Sequence, residues 1–208
     1  MKFNNIKIDT SKSVLFPRLE TEYWAKKAIS QIKTQKNISF KPKILDIFAG
    51  TGCIGIFILK NLPNSNVDFV DISNQAIEQI KINLKLNNIS NNRYQIIKSN
   101  IFEEIRGEKY DFIFANPPYV AISRIKEVDQ NILKKEPHEA LFAGQDGMII
   151  IKKFLYQIKN HLKNKGEMFM EFDPSQKPEI EKILQKHNFS FQFYKDQFNL
   201  FRWLKLKI

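Results

Sequence analysis

Cysteine occurs once, at Cys53, which excludes an internal disulfide. Histidine occurs three times, at His138, His161 and His187, too far apart in the chain for metal-ligand spacing, so no structural or catalytic metal is expected. No apolar run approaches the roughly 18 to 20 residues that a membrane span needs. Met148 to Ile151 is typical of the longest, and Met1 to Thr10 lacks the apolar core of a secretory signal. A soluble, cytoplasmic protein is therefore expected. Arginine is scarce as well, 5 residues against 28 lysines. Glycine is scarcer than usual, yet three of the 7 fall close together, at Gly50, Gly52 and Gly55.

With 208 residues and 43% hydrophobic content, the chain can bury roughly two thirds of its unfolded surface in one core. One structural domain follows, with residues 1–42 as a lead and helix packed on a core spanning 43–208. The net charge of +11 and a pI near 9.6 would favour an acidic partner such as RNA or the ribosome. The same excess has a plainer origin: lysine over arginine, with abundant isoleucine and asparagine, is what an AT-rich genome imposes. The lysines also recur singly or in pairs, as at Lys26-Lys27, Lys134-Lys135 and Lys152-Lys153, which suits solvated helix faces. Both readings stand, and a monomer is expected.

From Lys43 onward, short strand-like runs alternate with helical periodicity, the pattern of an α/β chain with a mostly parallel sheet. Ile44 to Phe48, Val67 to Ile72, Tyr94 to Lys98 and Phe112 to Ala115 read as buried strands. Ile54 to Asn61 and Gln75 to Asn87 read as helices, the second with Ile77, Ile80 and Leu84 on one stripe and Asn74 as its cap. A polar stretch of about 25 residues after Tyr119 is too long for an ordinary connection and is a candidate active-site cover. Asp146 to Leu162 then reads as a helix, Glu167 to Phe172 as a strand, and Glu179 to His187 as a helix. Phe189 to Tyr194 and Leu200 to Leu206 read as a closing antiparallel hairpin. Thr21 to Lys33 is a helix preceded by an extended lead.

Directly after the first strand stands Asp46-Ile47-Phe48-Ala49-Gly50-Thr51-Gly52-Cys53-Ile54-Gly55. Glycines there let backbone amides approach a ligand at a helix start. Gly50, Gly52 and Gly55 satisfy G-x-G-x-x-G, and Asp71, ending the second strand 21 residues after Gly50, is spaced for a ribose diol. An adenosine-type ligand follows, and a nicotinamide-dependent dehydrogenase is one reading. The other is S-adenosylmethionine. Asp46 at the strand's end suits the amino group of a methionine moiety, whereas it would repel a pyrophosphate.

The second pointer is Asn116-Pro117-Pro118-Tyr119, after the fourth strand. An amide nitrogen is a poor nucleophile because its lone pair is delocalised, so methyl transfer to it requires orientation and hydrogen-bond acceptors. The side-chain oxygen of Asn116 and the carbonyl of Pro117 can each accept one N–H of a planar NH2 group, which stabilises charge growing on nitrogen. The two prolines restrict the backbone to extended conformations, and Tyr119 offers a flat face. A plain proline turn is the competing reading, set against the turn's place at a strand's carboxyl end, where open α/β sheets bind ligands. These residues imply N-methyl transfer to some planar amide or amino group, on protein, RNA or DNA.

The chain resembles the bacterial release factor glutamine methyltransferase family from Val14 to Leu206. Pro17-Arg18-Leu19-Glu20-Thr21 is similar to that family's P-R-x-E-T lead. Glu136-Pro137-His138-Glu139-Ala140-Leu141, with Gly144, Asp146 and Gly147, is similar to its E-P-x-x-A-L-x-x-G-x-D-G run. Glu171, Gln176, Lys195-Asp196 and Arg202 continue the match. The resemblance implies the Rossmann-like class I S-adenosylmethionine-dependent methyltransferase fold: a seven-stranded, mostly parallel sheet with an antiparallel C-terminal hairpin and helices on both faces. It implies methylation of the side-chain amide N5 of the glutamine in the Gly-Gly-Gln motif of peptide chain release factors. By the same resemblance, Phe48, Ala49, Gly50, Thr51 and Gly52 wrap the methionine end of the cofactor, Asp71 its ribose, and Asn100 and Ile101 its adenine. Asn116, which also borders the cofactor, Pro117, Pro118 and Tyr119 hold the glutamine, with Arg18 and Glu20 helping to cover it. Phe48 and Ala49 depart from the glycine and small residue usual there, and Asn100 from a usual aspartate. The family usually carries an amino-terminal helical domain that grips the release factor, whereas about 13 residues precede the match here. A sister family acts on a ribosomal-protein glutamine.

Overall fold

The computed structural model describes residues 1–35 and 41–208. The chain opens with a two-residue-per-strand hairpin, β1 (Lys2–Phe3) and β2 (Ile6–Lys7), too short to leave a periodicity in the sequence. Phe3, Ile6 and Ile8 are nevertheless buried. Then follow α1 (Leu19–Lys33), β3 (Lys43–Ile47), α2 (Cys53–Asn61), β4 (Asn66–Asp71), α3 (Asn74–Leu86), β5 (Tyr94–Lys98) and β6 (Tyr110–Ala115). A 3-10 helix at Ile122–Glu127 and two short helices, α4 (Gln130–Lys135) and α5 (His138–Leu141), occupy the polar stretch after Tyr119. The chain closes with α6 (Ile149–His161), β7 (Leu162–Glu171), α7 (Lys177–Lys186), β8 (Ser190–Lys195) and β9 (Phe201–Lys207). No helix among the described residues is long and apolar enough to cross a membrane.

Seven strands form one sheet in the order β5-β4-β3-β6-β7-β9-β8. The first five are parallel, and β9 runs antiparallel to both β7 and β8, so the expected hairpin is present. Alternation of side chains across the strands divides the core in two. Ile44, Phe112, Phe114 and Phe169 face α1, α2 and α3, while Leu45, Ile47, Ile113 and Met170 face α6 and α7. Helix α1 presents Thr21, Trp24, Ala25, Ala28, Ile29 and Ile32 inward at helical spacing. Trp24 stacks on Phe114 and Trp203 at 6.0 and 6.3 Å between ring centroids, contacts of the kind that contribute about 0.5–1.5 kcal/mol beyond area burial.

Chain order reverses at β3: β4 and β5 lie on one side and β6 on the other, which opens a crevice at the carboxyl ends of β3 and β6. Ile47 pairs with both Val70 and Ala115, so the segments that follow these three strands emerge side by side.

Several boundaries differ from expectation for local reasons. Phe48 leaves β3 because its φ is +60°, a left-handed conformation. Ser73, not Asn74, occupies the cap position of α3, and its backbone N–H is taken by the Asp71 carboxylate at 2.9 Å. Strand β7 begins at Leu162, directly after α6. The expected strand begins at Glu167, and the structure adds Lys163 to Gly166 as a bulge, with Lys165 left-handed and the pairing shifting between Tyr110 and Phe112.

The lead is fastened to α3 by three carboxamides. Asn87 bonds both the N–H and the carbonyl of Lys7, at 3.2 and 2.7 Å, and Asn83 does the same to Asp9 at 2.7 and 3.0 Å. Gln79 accepts from Lys12 N–H at 2.9 Å and donates to the Asp9 carboxylate at 3.0 Å. All three side chains are buried, and the pattern satisfies the lead's polar backbone much as a neighbouring strand would. It delivers Ser13, Val14 and Leu15 to the mouth of the crevice.

Candidate active site

The loop after β3 is built by backbone geometry. Phe48, Gly50 and Gly52 have φ of +60°, +53° and +75°, which turns the chain sharply into α2. Gly50 N–H donates to Asp71 Oδ2 at 2.9 Å, while Asp71 Oδ1 holds Ser73 N–H, so one carboxylate pins both the glycine loop and the start of α3. Burial raises the Asp71 carboxyl above its ordinary range, against the opposing pull of those amides. A Cβ on Gly50 would meet nothing within 4 Å, so space stands open above it. Ile101, at the far side, is also left-handed at φ +55°, a costly conformation for a β-branched residue, and such strain collects at functional sites.

Gly55 serves packing instead. A Cβ there would collide with the Phe69 ring and stand 2.9 Å from Asp46 Oδ2. Its absence lets α2 close on β4 and lets Gly55 N–H donate to Asp46 Oδ2 at 2.8 Å. Asp46 is fully buried, its Oδ1 has no hydrogen-bond partner, and desolvation pushes its carboxyl up to about 8. Its ionisation is therefore displaced toward the protonated form. Cys53 is a buried core residue.

Two cavities meet at the crevice. The larger, about 350 Å³, is bounded by the glycine loop, Asp71, Ile101, the lead and the cover, the last through Pro137, Glu139 and Phe142. The smaller, about 150 Å³, lies between Arg18, Pro117, Tyr119 and the cover residues Val128 and Ile132. Leu15, Asn116, Pro118 and Ala140 line both. Asn116 to Tyr119 thus forms the wall between them.

That wall is braced by a buried carboxylate. Glu171, at the end of β7, accepts from Thr21 Oγ1 and Trp24 Nε1 through Oε2, each at 2.6 Å, and from the Tyr119 hydroxyl through Oε1 at 3.1 Å. Burial raises its pKa, and the three donors oppose the rise. Burial and the Glu171 charge hold the Tyr119 phenol far above its usual value. Asn116 Nδ2 donates to Thr21 Oγ1 at 3.3 Å, whereas Asn116 Oδ1 is buried with no partner. The cover is held within its length and at its two ends. Arg18 pairs with the buried Glu136 at 2.7 Å, and Gln176 Nε2 bonds the carbonyls of Tyr119 and Gly147 at 2.9 and 3.1 Å. Gly147 is left-handed and so close to Tyr119 and Gln176 that a side chain has no room.

Of the residues expected at a cofactor, Phe48, Gly50, Asp71, Asn100, Ile101 and Asn116 line the larger cavity. Asp46, Ala49, Thr51 and Gly52 do not. Asp46 faces α2, Thr51 is buried with its carbonyl bonded by Asn83, and Gly52 packs against Ile80. Of those expected at a substrate, Arg18, Asn116, Pro117, Pro118 and Tyr119 line the smaller cavity. Glu20 lines neither. It occupies the first turn of α1, where a carboxylate favours the helix dipole. Thr21 and Trp24 were not read as site residues, although their i, i+3 spacing on α1 and the lone acid of Met168-Phe169-Met170-Glu171 were visible signals.

Comparison with known proteins accords with this geometry. Curated relatives include the release factor glutamine methyltransferases of Flavobacterium psychrophilum and Streptococcus pneumoniae, both 34% identical over 90% and 89% of the chain. A bifunctional methyltransferase of Rickettsia bellii is 37% identical over 77% of it. The chain spans 65%, 63% and 28% of the lengths of these three. Among solved structures, the catalytic domain of hMettl16 bound to an RNA hairpin matches with a TM-score of 0.69 at 16% identity, covering 99% of this chain and 75% of that one. A methyltransferase from Pyrococcus furiosus matches at 0.63 and 15%, covering 94% and 88%, and these likenesses bear on the fold alone. The model of the methyltransferase small domain matches residues 3–146. The cofactor is thus S-adenosylmethionine rather than a nicotinamide, and the chain belongs to the methyltransferase small domain family.

Proposed function

We propose that this chain transfers the methyl group of S-adenosylmethionine to the side-chain amide N5 of the glutamine in the Gly-Gly-Gln motif of a peptide chain release factor, in the cytoplasm. The observation that carries the reading is Asn116 Oδ1, a buried acceptor with no partner, on a wall shared by the two cavities. A buried acceptor left unmatched costs free energy, and among the described residues with such a side-chain atom Asn116 is the one that lines these cavities. A planar NH2 group in the smaller cavity supplies the missing donor.

The residues of the larger cavity fit the cofactor. Asp71 stands where two ribose hydroxyls can donate to it, the space over Gly50 admits the methionine chain, and Asn100 Oδ1 and the backbone of Ile101 suit an adenine edge. When bound, the cofactor supplies an electrophilic methyl on a sulfonium. Asn116 Oδ1 and the Pro117 carbonyl accept the two N–H groups of the acceptor amide, align its nitrogen and stabilise the positive charge that develops there. Tyr119, its hydroxyl fixed on Glu171, supports the planar group, and one proton leaves nitrogen for solvent. Identity above 30% to release factor glutamine methyltransferases, with both flanking motifs at the wall, favours glutamine over a nucleic-acid base.

The test is transfer of labelled methyl from the cofactor to an intact release factor, with mass-spectrometric mapping of the modified residue. Modification of the Gly-Gly-Gln glutamine is expected. Robust labelling of RNA or DNA with none on any release factor overturns the assignment. The +11 charge gives that rival its support, and salt-dependent RNA binding would accompany it.

A further inference from the structure

A carboxamide is nearly symmetrical in shape, and either end of Asn116 would fill the same space. Only one end is useful: Oδ1 toward the acceptor accepts its N–H, whereas Nδ2 there would confront donor with donor. Something must therefore choose the orientation. The one hydrogen bond made by the Asn116 side chain is the donation from Nδ2 to Thr21 Oγ1.

The direction of that bond is set one step further away. Thr21 has a single hydroxyl proton, and it is given to Glu171 Oε2 at 2.6 Å. The hydroxyl lone pairs that remain can only accept. Glu171 cannot reverse the order, because it receives three donors: Thr21, the Trp24 indole N–H, which never accepts, and the Tyr119 hydroxyl. A carboxylate that accepts three hydrogen bonds in a closed pocket has no proton to return. The polarity runs from Asn116 through Thr21 to Glu171, and Oδ1 is left buried without a partner, on a residue that lines both cavities.

We propose that Thr21 and Glu171 are positioning residues that fix the flip state of Asn116, Glu171 acting through the Thr21 hydroxyl, and that Glu171 orients the Tyr119 ring from the same carboxylate. The role rests on the reading of Asn116 as the group that holds the acceptor amide. Helix α1 is then part of the catalytic apparatus and more than a cover, since it carries the hydroxyl that joins strand β7 to the loop after β6.

The test compares Thr21→Val, which keeps the shape and removes the hydroxyl, with Thr21→Ser, which restores it, and with Glu171→Gln, which approaches the same chain from its other end. Steady-state methylation of the release factor is paired with the side-chain NH2 signal of Asn116 in 15N-labelled protein, read without turnover. Thr21→Val and Glu171→Gln are expected to lower kcat by about tenfold or more while the KM for S-adenosylmethionine stays within about twofold. Thr21→Ser is expected to stay within about threefold of the parent. The Asn116 NH2 protons should exchange slowly in the parent and the serine variant and fast in the other two. Parental kcat with an unchanged NH2 signal in Thr21→Val overturns the proposal, as does a serine variant no better than valine. If the parent methylates no release factor but the NH2 signals follow the expected pattern, the positioning role stands and the acceptor assignment falls.

Discussion

The two halves of the crevice are held by different means. On the cofactor side, position is fixed by backbone: left-handed Phe48, Gly50, Gly52 and Ile101, with Asp71 gripping two amides. On the acceptor side it is fixed by side chains that converge from distant segments: Thr21 and Trp24 from α1, Tyr119 from the loop after β6 and Glu171 from β7. A backbone cradle tolerates changes in side-chain identity as long as φ can be adopted, as Phe48 adopts it at +60°. A side-chain network tolerates little, because each member leaves a buried partner unmatched when it is removed.

Substitutions can break this contrast. The largest effect is expected for Asn116→Ala, which should lower kcat by about 100-fold or more with cofactor affinity nearly unchanged, read by single-turnover methylation and calorimetry. Wild-type turnover would mean that the acceptor side does not work through this amide. Gly55→Ala, at the seam between α2 and Phe69, should destabilise the fold by about 1–3 kcal/mol in denaturant titrations, since neither the ring nor Asp46 can retreat. An unchanged midpoint would contradict the close packing. Asp71→Ala should weaken S-adenosylmethionine binding by about tenfold with a smaller effect on kcat, whereas equal affinity would remove the carboxylate from the ribose.

The last test concerns the pH dependence set by Asp46. Its carboxyl rises from 3.8 to about 8 on folding, so between those values the native state retains a proton that the unfolded chain has released. Stability of the ligand-free protein should therefore fall as pH rises from about 4 to about 8, with a slope approaching about 1.4 kcal/mol per pH unit from this group. Asp46→Asn keeps an acceptor for Gly55 N–H and should flatten that dependence. An identical pH profile in the variant would show that Asp46 is ionised in the native state.

The cofactor half was the more legible in sequence, for the same reason that it tolerates change. Glycine spacing and an acid after the next strand report backbone geometry directly, so Gly50 and Asp71 meet at the crevice as the order of motifs implied. Asp46 was read as facing the ligand because it ends a strand beside the loop, but alternation along β3 turns it toward α2. The Glu171 network joins residues about 150 positions apart, and no local pattern announces such a pairing. The buried polar row of Gln79, Asn83 and Asn87 was a signal available on α3, at the i, i+4, i+8 spacing of one face, and the apolar stripe beside it drew the reading instead.

That row has a metric consequence. Four residues of helix advance about 6 Å, and two residues of extended chain advance about 6.6 Å. Asn83 and Asn87 therefore meet Asp9 and Lys7 in step, one helical turn for every second residue of the lead. The fastening is a vernier with a nearly common pitch, and its scale sets how far along the molecule Leu15 falls. Inserting one residue between Asp9 and Lys12 would keep the Asn83 and Asn87 rungs and carry Lys12 away from Gln79, displacing Leu15 by about 3 Å.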